Sequence, residues 1–355
     1  MALPLTSPPA SLCILRLSAV GDICHTLPIV RTLQQVWPNT KLTWIIGKLE
    51  HTLIGDIPDI EFIIFDKAKG IQAYRELHRH MKGRHFDILL HMQMSLRASL
   101  ASLLIPATIR LGFDKLRAND LQWLFTNNRI PHKANQHVMD SFFGFLEALG
   151  VNQRTLVWNI PIPAKTFDEV QSLLPQRPFL VISPCSSMAY RNWDVEGYAE
   201  VIDYAVEKYQ LPTVLTGGPT AIEYQYGERI MRHCAHKPIN LIGKTNLKQL
   251  LAILQQAEAL IAPDSGPAHM ATAVGTPVIG LYAATNPDRA RPYMSANLVV
   301  SHYPEAVLAK FKKSVDQVPW GSRVRDPNTM TRIQAEDVTA MLDQLMTAPT
   351  RQHDL

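Results

Sequence analysis

The chain of 355 residues is 46% hydrophobic and 19% charged. This composition is typical of a globular protein long enough for two domains, and it excludes disordered, fibrous and disulfide-rich classes. No run of 18 apolar residues occurs, and the N-terminus lacks the basic start of a signal peptide. We therefore predict a cytoplasmic protein. The four scattered cysteines form no C-x-x-C motif, so we expect neither disulfides nor a zinc site.

The formal net charge of +4 conceals a strongly basic segment. Between Lys67 and His137 there are twelve Lys or Arg residues and four Asp or Glu residues, a net charge of +8. Such a segment attracts an anionic partner: nucleic acid, an anionic membrane face or a phosphorylated substrate. A solvated surface without function is the alternative. No nucleic-acid-binding module accompanies the charge, so we predict no nucleic-acid partner.

Apolar strand-like runs alternate with helical patterns in the first half of the chain. The runs lie at 12–17, 41–46, 61–65 and 86–92. Between the first two, one helical face collects Ile29, Val30, Leu33, Val36 and Trp37. This alternation predicts a parallel sheet covered by helices on both faces.

A second series of the same kind follows the linker at 151–166. Its strand runs lie at 179–184, 212–217, 238–243, 259–263 and 277–282, with helices at 195–208 and 247–256. We predict an α/β fold of two Rossmann-like, doubly wound domains, 1–165 and 166–355, facing each other across a cleft. A final helix at 335–346 could pack on either domain, including back on the N-terminal one.

The stretch RLSAVGDICHTLP, residues 16–28, places a small-residue loop and Asp22 directly after the first predicted strand. Such a loop lets backbone N–H groups approach a ligand, and its carboxylate can act as a general base for a hydroxyl nucleophile. The alternative is that Asp22 only caps the helix that follows.

The most informative segment is APDSGPAHMATAVGTPVIGLY, residues 262–282. Asp264, Ser265 and Gly266 follow a predicted strand and open a helix, with His269 one turn inside it. Ligands of open parallel sheets lie at the carboxyl ends of the strands, and a helix N-terminus favours phosphate. We therefore predict a phosphate site here. The alternative, in which Asp264 or Ser265 is only an N-cap, leaves His269 unexplained.

Two further loops follow predicted strands of the same domain. The loop SPCSSMAYRNW offers Ser186, Ser187 and Arg191, and an arginine can bridge diphosphate oxygens. The loop TGGPTAIE places Gly218 in a turn and Glu223 in the next helix. Together with the segment at 262–282, these loops predict one diphosphate site at the carboxyl ends of the second sheet.

Several signatures of other chemistries are absent from the sequence. It contains no G-x-G-x-x-G after the first strand, no P-loop, no H-E-x-x-H and no G-x-S-x-G. It also lacks the D-x-D pair with which many sugar transferases hold a metal. We therefore expect a metal-independent reaction without other cofactors, in which Arg191 and the helix N-terminus at Ser265 stabilise a leaving diphosphate.

The stretch LSAVGDICHTLP, taken with APDSGPAHMATAVGTPVIGLY, resembles the lipopolysaccharide heptosyltransferases of glycosyltransferase family 9, over roughly residues 12–347. The resemblance implies the GT-B fold and inverting transfer of L-glycero-D-manno-heptose from ADP-heptose to the lipopolysaccharide inner core of Gram-negative bacteria. GDICHTLP is most similar to the first heptosyltransferase, whose acceptor is Kdo on lipid A. Such an acceptor implies peripheral contact with the inner face of the cytoplasmic membrane.

The resemblance also implies roles for individual residues. Asp22 falls on the proposed general base of the family, and Arg191 falls on a basic residue of the donor site that would act in catalysis. The implied donor-binding residues are Ser186, Ser187, Arg191, Gly218, Glu223, Thr245, Asp264, Ser265, Gly266 and His269. The implied acceptor-binding residues are Gly21, His25, Arg97, Arg117 and His137. The segment 303–326 matches no part of the family pattern.

Three alternative functions stay open at this point. The chain could add a later heptose of the core, bind a sugar nucleotide without transferring it, or act as a GT-B epimerase on a nucleotide sugar. The basic segment favours a transferase over an epimerase, because an epimerase has no large anionic acceptor to attract.

Overall fold

The computed structural model describes residues 3–347, and the chain divides into two compact units, Met1–Pro161 and Ile162–Leu355. The division falls four residues before the predicted boundary between 165 and 166. Each unit contains a six-stranded sheet whose paired strands all run parallel. The predicted α/β class with two Rossmann-like sheets is confirmed.

The N-terminal unit contains a sheet whose central strands are buried on both faces, as expected when helices cover a parallel sheet. Its strands are β1 (Ser11–Leu15), β2 (Lys41–Gly47), β3 (Ile60–Phe65), β4 (Phe86–His91), β5 (Ala107–Gly112) and β6 (Asn128–Arg129), in the spatial order β3-β2-β1-β4-β5-β6. Its helices are α1 (Val20–Val36), α2 (Lys48–Ile54), α3 (Ile71–Met81), α4 (Leu96–Ser102) and α5 (Val138–Leu149).

The C-terminal unit repeats this strand order. Its strands are β7 (Leu180–Ile182), β8 (Thr213–Leu215), β9 (Ile239–Asn240), β10 (Ala259–Pro263), β11 (Val278–Tyr282) and β12 (Val299–Ser301), arranged as β12-β11-β10-β7-β8-β9. Its helices are α6 (Ala164–Gln171), α7 (Val195–Tyr209), α8 (Ala221–His233), α9 (Leu247–Gln256), α10 (Gly266–Ala273), α11 (Pro287–Ala290), α12 (Tyr303–Phe311) and α13 (Ala335–Thr347).

Helix α13 packs on α7, β11 and β12 of the C-terminal unit. Val338 and Leu342 of α13 are fully buried in the core of that unit. The Asp343 carboxylate accepts hydrogen bonds from the Tyr204 and Tyr209 hydroxyls of α7 at 2.8 and 2.6 Å. These contacts decide between the two packing sites that the sequence left open for this helix, in favour of the C-terminal unit.

Three strands, β5, β6 and β12, escaped prediction. β6 has only two residues and β12 three, and the half-buried Arg110 interrupts the apolar pattern of β5.

All four cysteines are free and buried. Among residues 3–347, no helix is both long and apolar enough to cross a membrane.

Candidate functional site

Asp22 lies in the first turn of α1, just beyond the loop that follows β1. Its Oδ2 forms an ion pair with Arg16 and accepts a hydrogen bond from the Ala19 N–H at 3.4 Å. Arg16 is itself buried, and its Nη1 donates to the Met92 carbonyl at 2.5 Å. The Asp22 side chain remains 34% exposed. The carboxylate is therefore held by a buried cation through one oxygen and still reaches solvent.

A second residue, Gln93, fixes the same loop from the end of β4. Its Oε1 accepts from the Leu17 N–H at 2.6 Å and from the Ser18 N–H at 3.2 Å. Sequence reasoning missed both Arg16 and Gln93 as parts of this site. A cation placed where a buried strand enters the small-residue loop is a signal that could have indicated Arg16. The Ala19 contact also shows that Asp22 caps the start of α1, so the two interpretations of this residue are compatible.

The other residues predicted to bind the acceptor lie on α1, α4, α5 and nearby loops. Gly21 is buried in the first turn of α1. The buried rings of His25 and His137 meet edge to face with centroids 5.4 Å apart, and His137 Nδ1 accepts from the Met139 N–H at 3.1 Å to cap α5. Arg97 is exposed on α4. The structure therefore groups His25 with His137 in a packing contact and leaves Arg97 facing solvent.

Arg117 is engaged within the N-terminal unit. It forms an ion pair with Asp114, and its Nη1 donates to Gln136 Oε1 at 2.7 Å and to Ser141 Oγ at 3.0 Å. Its Nη2 donates to the Pro131 carbonyl at 2.8 Å. These four partners come from three separate stretches of chain, so Arg117 holds the loop between β5 and α5 in place. An acceptor would have to compete with these contacts.

In the C-terminal unit, the end of β10 and the start of α10 bring the predicted phosphate-binding residues together. Asp264, Ser265 and His269 are each at least nine-tenths buried, and Ser265 occupies the N-cap position of α10. Its side chain makes no capping hydrogen bond, and its buried Oγ has no partner among the described residues. The first N–H groups of α10 thus lack a side-chain cap, which is the arrangement that binds an anion.

Arg191 connects the loop after β7 to this helix terminus. Its Nη1 lies 3.1 Å from Asp264 Oδ2 and donates to the Asp264 carbonyl at 3.1 Å. The two side chains are 14% and 12% exposed. Because β7 and β10 are neighbours in the sheet, the two loops meet at its carboxyl edge. The structure therefore brings together Arg191, Asp264, Ser265, Gly266 and His269, as the sequence predicts.

The remaining residues that the sequence predicts to bind the donor lie at the carboxyl ends of β7, β8 and β9. Glu223 Oε2 accepts from the Gly218 N–H at 2.5 Å, and its Oε1 accepts from the Thr220 hydroxyl at 3.0 Å. Ser186 donates its N–H to Asn192 Oδ1 at 2.8 Å. The last two predicted residues are Ser187, which is exposed, and Thr245, which is half-buried. Glu223 thus fixes the glycine turn after β8.

A polar pocket beside Arg191 and Asp264 contains two arginines that sequence reasoning missed. It is lined by Arg191, Asp264, Thr285, Asn286, Arg289, Ala290, Gly321, Ser322 and Arg323. Arg323 pairs in a β-bridge with Thr285, and the adjacent Val324 N–H donates to the Ala284 carbonyl at 2.9 Å. The segment 303–326, which sequence reasoning matched to no part of the family pattern, therefore contacts the residues after β11 and contributes the cation of Arg323 to this pocket. No group of three or more His, Cys, Asp or Glu side chains suited to a metal occurs among residues 3–347.

Comparison with known proteins supports one fold and one family. A structure described as glycosyltransferase family 9 from Veillonella parvula DSM 2008 has a TM-score of 0.80 and 23% identity, covering 98% of this chain and 99% of that one. The Escherichia coli heptosyltransferase WaaC, solved with ADP, has a TM-score of 0.72 and 18% identity, covering 94% of this chain and 99% of that one. The two parallel sheets are therefore those of the GT-B fold.

Sequence relationships narrow this class. The model of glycosyltransferase family 9 (heptosyltransferase) matches residues 74–319. The lipopolysaccharide core heptosyltransferase OpsX of Haemophilus influenzae is 42% identical over 341 residues, covering 96% of this chain and 98% of that protein. Lipopolysaccharide heptosyltransferase 3 of E. coli K12 is 25% identical, covering 92% and 95% of the two chains. The chain belongs to glycosyltransferase family 9 and is a heptosyltransferase of lipopolysaccharide core biosynthesis.

One finer expectation from the motifs is not supported. Lipopolysaccharide heptosyltransferase 1 of E. coli K12 is 21% identical over 291 residues, covering 77% of this chain and 88% of that protein. It is therefore less similar to this chain than OpsX is, although GDICHTLP had suggested the first heptosyltransferase. The eight residues of GDICHTLP are too short a stretch to identify the acceptor, whereas the identity with OpsX extends over 341 residues.

Proposed function

We propose that the protein transfers L-glycero-D-manno-heptose from ADP-heptose to Kdo of Kdo-lipid A, with inversion at the anomeric carbon. The observation that carries the chemistry is the Arg16–Asp22 pair, in which the carboxylate is oriented and remains exposed. The contacts of the Asp22 carboxylate with Arg16 and with the Ala19 N–H both fall on Oδ2, which leaves Oδ1 to accept the proton of an acceptor hydroxyl. The deprotonated oxygen attacks the anomeric carbon as ADP leaves, in one displacement without a covalent intermediate.

The α10 terminus supports an ADP-sugar donor. The departing diphosphate gains negative charge, which the uncapped N–H groups of α10 and the guanidinium of Arg191 can balance. Arg289 and Arg323 line the adjoining pocket and add positive charge there. The solved WaaC structures contain ADP in one case and ADP-2-deoxy-2-fluoro heptose in another. On these grounds we propose ADP-heptose as the donor.

We further propose that the reaction needs no metal. Two positive elements, Arg191 and the α10 dipole, meet at the same place and can stabilise the leaving group. Activity should then survive EDTA. Loss of transfer in the chelator, restored by Mg²⁺, would contradict this part of the proposal.

The experiment that tests the function is transfer to a defined acceptor. The purified protein is incubated with ADP-heptose and Kdo-lipid A, and mass spectrometry should detect one added heptose. NMR of the product should show the inverted anomeric configuration. Binding of intact ADP-heptose without a glycosylated product would favour a binding protein, and conversion of the donor sugar without an acceptor would favour an epimerase. Either result would contradict the proposal.

The second candidate is transfer of a later heptose. The greater similarity to heptosyltransferase 3 than to heptosyltransferase 1 of the same strain favours it. A competition between Kdo-lipid A and an already heptosylated core distinguishes the two acceptors, because the preferred one gains mass first. If the heptosylated core is preferred, it is the acceptor in place of Kdo-lipid A, and the proposed donor and reaction chemistry stay the same.

A further inference from the structure

Helix α4 presents an apolar face to solvent on the N-terminal unit. Leu96 and Leu100 of the helix and Leu103, its C-cap residue, are spaced at i, i+4 and i+7, which places them on one side. All three are exposed, and Leu103 reaches 62% exposure. The buried residues of the helix, Ala98, Ser99, Ala101 and Ser102, form its other side. The leucines therefore contribute little to the core of this unit.

Two hydrogen bonds place further exposed apolar residues beside α4. The Tyr74 hydroxyl of α3 donates to the Arg97 carbonyl at 3.3 Å, and Ile71, one turn earlier on α3, is 70% exposed. The Leu96 N–H donates to Asp120 Oδ2 at 3.2 Å, and the adjacent Leu121 is 58% exposed. We call this region the leucine surface; it consists of Ile71, Leu96, Leu100, Leu103 and Leu121.

Cations accompany the leucine surface. Arg75 follows Ile71 by one helical turn, and Arg97 lies on α4 itself; both are exposed. Lys115, in the loop that carries Leu121, lies over the Trp123 ring at 5.1 Å. The neighbouring acids are engaged within the protein: Glu76 pairs with Lys69, Asp114 pairs with Arg117, and Asp120 accepts from the Leu96 N–H. An apolar patch surrounded by positive charge suits a surface that is itself apolar beneath a negatively charged layer.

We propose that the leucine surface docks on an anionic phospholipid bilayer. The leucine and isoleucine side chains enter the interface, and the arginines and lysine meet the lipid phosphates. The surface lies next to the Asp22 loop, because Gln93, three residues before Leu96, bonds the Leu17 and Ser18 N–H groups. The proposal goes beyond the proposed function and holds whichever acceptor is used.

Vesicle binding tests the proposal without donor or acceptor. Sedimentation of the full chain with vesicles of phosphatidylcholine and phosphatidylglycerol should recover most of the protein, and vesicles of phosphatidylcholine alone should recover little. The double variant Leu100→Gln/Leu103→Gln should bind the anionic vesicles about tenfold more weakly, because two apolar side chains are lost from the interface. The matched control is Leu308→Gln on α12 of the C-terminal unit, where Leu308 is equally exposed at 59%; it should bind as wild type.

Four outcomes would overturn the docking surface. In the first, the wild type does not bind anionic vesicles; in the second, the double variant binds them as well as the wild type does. In the third, Leu308→Gln loses as much binding as the double variant. In the fourth, the wild type is a dimer, and the double variant is a monomer that binds vesicles as before. The last outcome would assign the leucine surface to a second copy of the chain. Since the assay contains no nucleotide sugar, failure of the proposed transfer reaction would leave its result unaffected.

Discussion

In each unit an Arg–Asp ion pair lies at the carboxyl edge of the sheet beside the start of a helix, Arg16–Asp22 at α1 and Arg191–Asp264 at α10, but the accessible partner differs. In the N-terminal unit Arg16 is buried, at 8% side-chain exposure, whereas Asp22 is 34% exposed. In the C-terminal unit Arg191 and Asp264 are 14% and 12% exposed. The same two residue types therefore present a carboxylate to solvent in one unit and enclose it in the other.

This difference separates two kinds of chemistry. An accessible carboxylate with a free oxygen can take a proton from a hydroxyl. An enclosed carboxylate instead fixes the position and orientation of the arginine side chain that it pairs with. Asp264 bonds Arg191 through both its side chain and its carbonyl. The predicted roles are accordingly opposite: Asp22 acts itself, and Asp264 positions Arg191.

The largest effect is expected from Asp22→Asn. The variant should lower kcat by about 10²–10⁴-fold, the range for loss of a positioned base, and should leave ADP-heptose binding nearly unchanged. Steady-state kinetics and calorimetric titration of the donor measure the two quantities. The control is Asp59→Asn, an exposed residue of the same unit, which should behave as wild type. If Asp22→Asn kept the wild-type kcat, Asp22 would not be the general base and would serve only as a helix cap.

Arg191→Ala tests the opposite role in the second pair. Loss of one charge-assisted contact costs about 1.5–3 kcal/mol, so the dissociation constant for ADP should rise by about ten- to a hundredfold. Arg191→Lys should recover only part of the affinity, because lysine keeps the positive charge but cannot form the paired hydrogen bonds of a guanidinium group. Unchanged ADP affinity in the alanine variant would separate Arg191 from the donor site.

The N-terminal unit should lose stability in acid because of a buried histidine. Burial, with the nearby Arg110 and Arg16 guanidinium groups, lowers the pKa of His91 in β4 to about 3. His91 binds a proton with a pKa of about 6.5 in the unfolded chain but stays neutral in the folded chain down to about pH 3. The free energy of unfolding therefore keeps its full value above pH 6.5 and decreases as the pH falls from 6.5 towards 3.

The limiting loss from His91 is about 1.4 kcal/mol per pH unit. His91→Asn should flatten this decline in denaturant titrations of the free energy of unfolding, compared with the exposed-site control His78→Asn. Parallel pH profiles of wild type and His91→Asn would show that His91 binds its proton in the folded protein as well.

A smaller effect is expected at the pocket beside the C-terminal pair. Arg323→Ala removes an exposed cation, which is worth about 1 kcal/mol, and should raise the donor KM about fivefold. The adjacent Arg325 lies over the Tyr190 ring rather than lining the pocket, so Arg325→Ala is the matched control. Equal effects of the two variants would indicate a general electrostatic contribution instead of a contact.

The smallest effect concerns salt. Because exposed charges are screened beyond about 8 Å at physiological ionic strength, the acceptor KM should rise by about threefold from low to high NaCl, and more steeply than the donor KM. Arg97→Gln should flatten this dependence, with Lys312→Gln in the C-terminal unit as the control. Arg117 is unsuited to this test because its removal would release the loop that it holds. Equal salt dependence of both KM values would mark the basic segment as a solvated surface.

Sequence reasoning succeeded where the information is local. The alternation of apolar runs predicted the two parallel sheets, and Asp264-Ser265-Gly266 after an apolar run predicted the start of α10, which begins at Gly266. Sequence reasoning did not find Arg16, Gln93, Arg289 or Arg323. Arg16, Gln93 and Arg323 acquire their places from partners that are distant in the chain, as Arg16 does from Met92, 76 residues away.

The sequence by itself determined the class of fold, the loop that carries Asp22 and the helix terminus that suits a phosphate, because strand periodicity, small-residue turns and helix starts are properties of neighbouring residues. Only the tertiary structure decided which charged groups are available. In the folded chain Arg117 contacts Asp114, Gln136 and Ser141, whereas Arg97 is exposed. Arg323 pairs with Thr285 and lies in the pocket with Arg191 and Asp264. Exposure and pairing depend on groups that meet only after the chain has folded, and they set whether a charge holds the structure or meets a substrate.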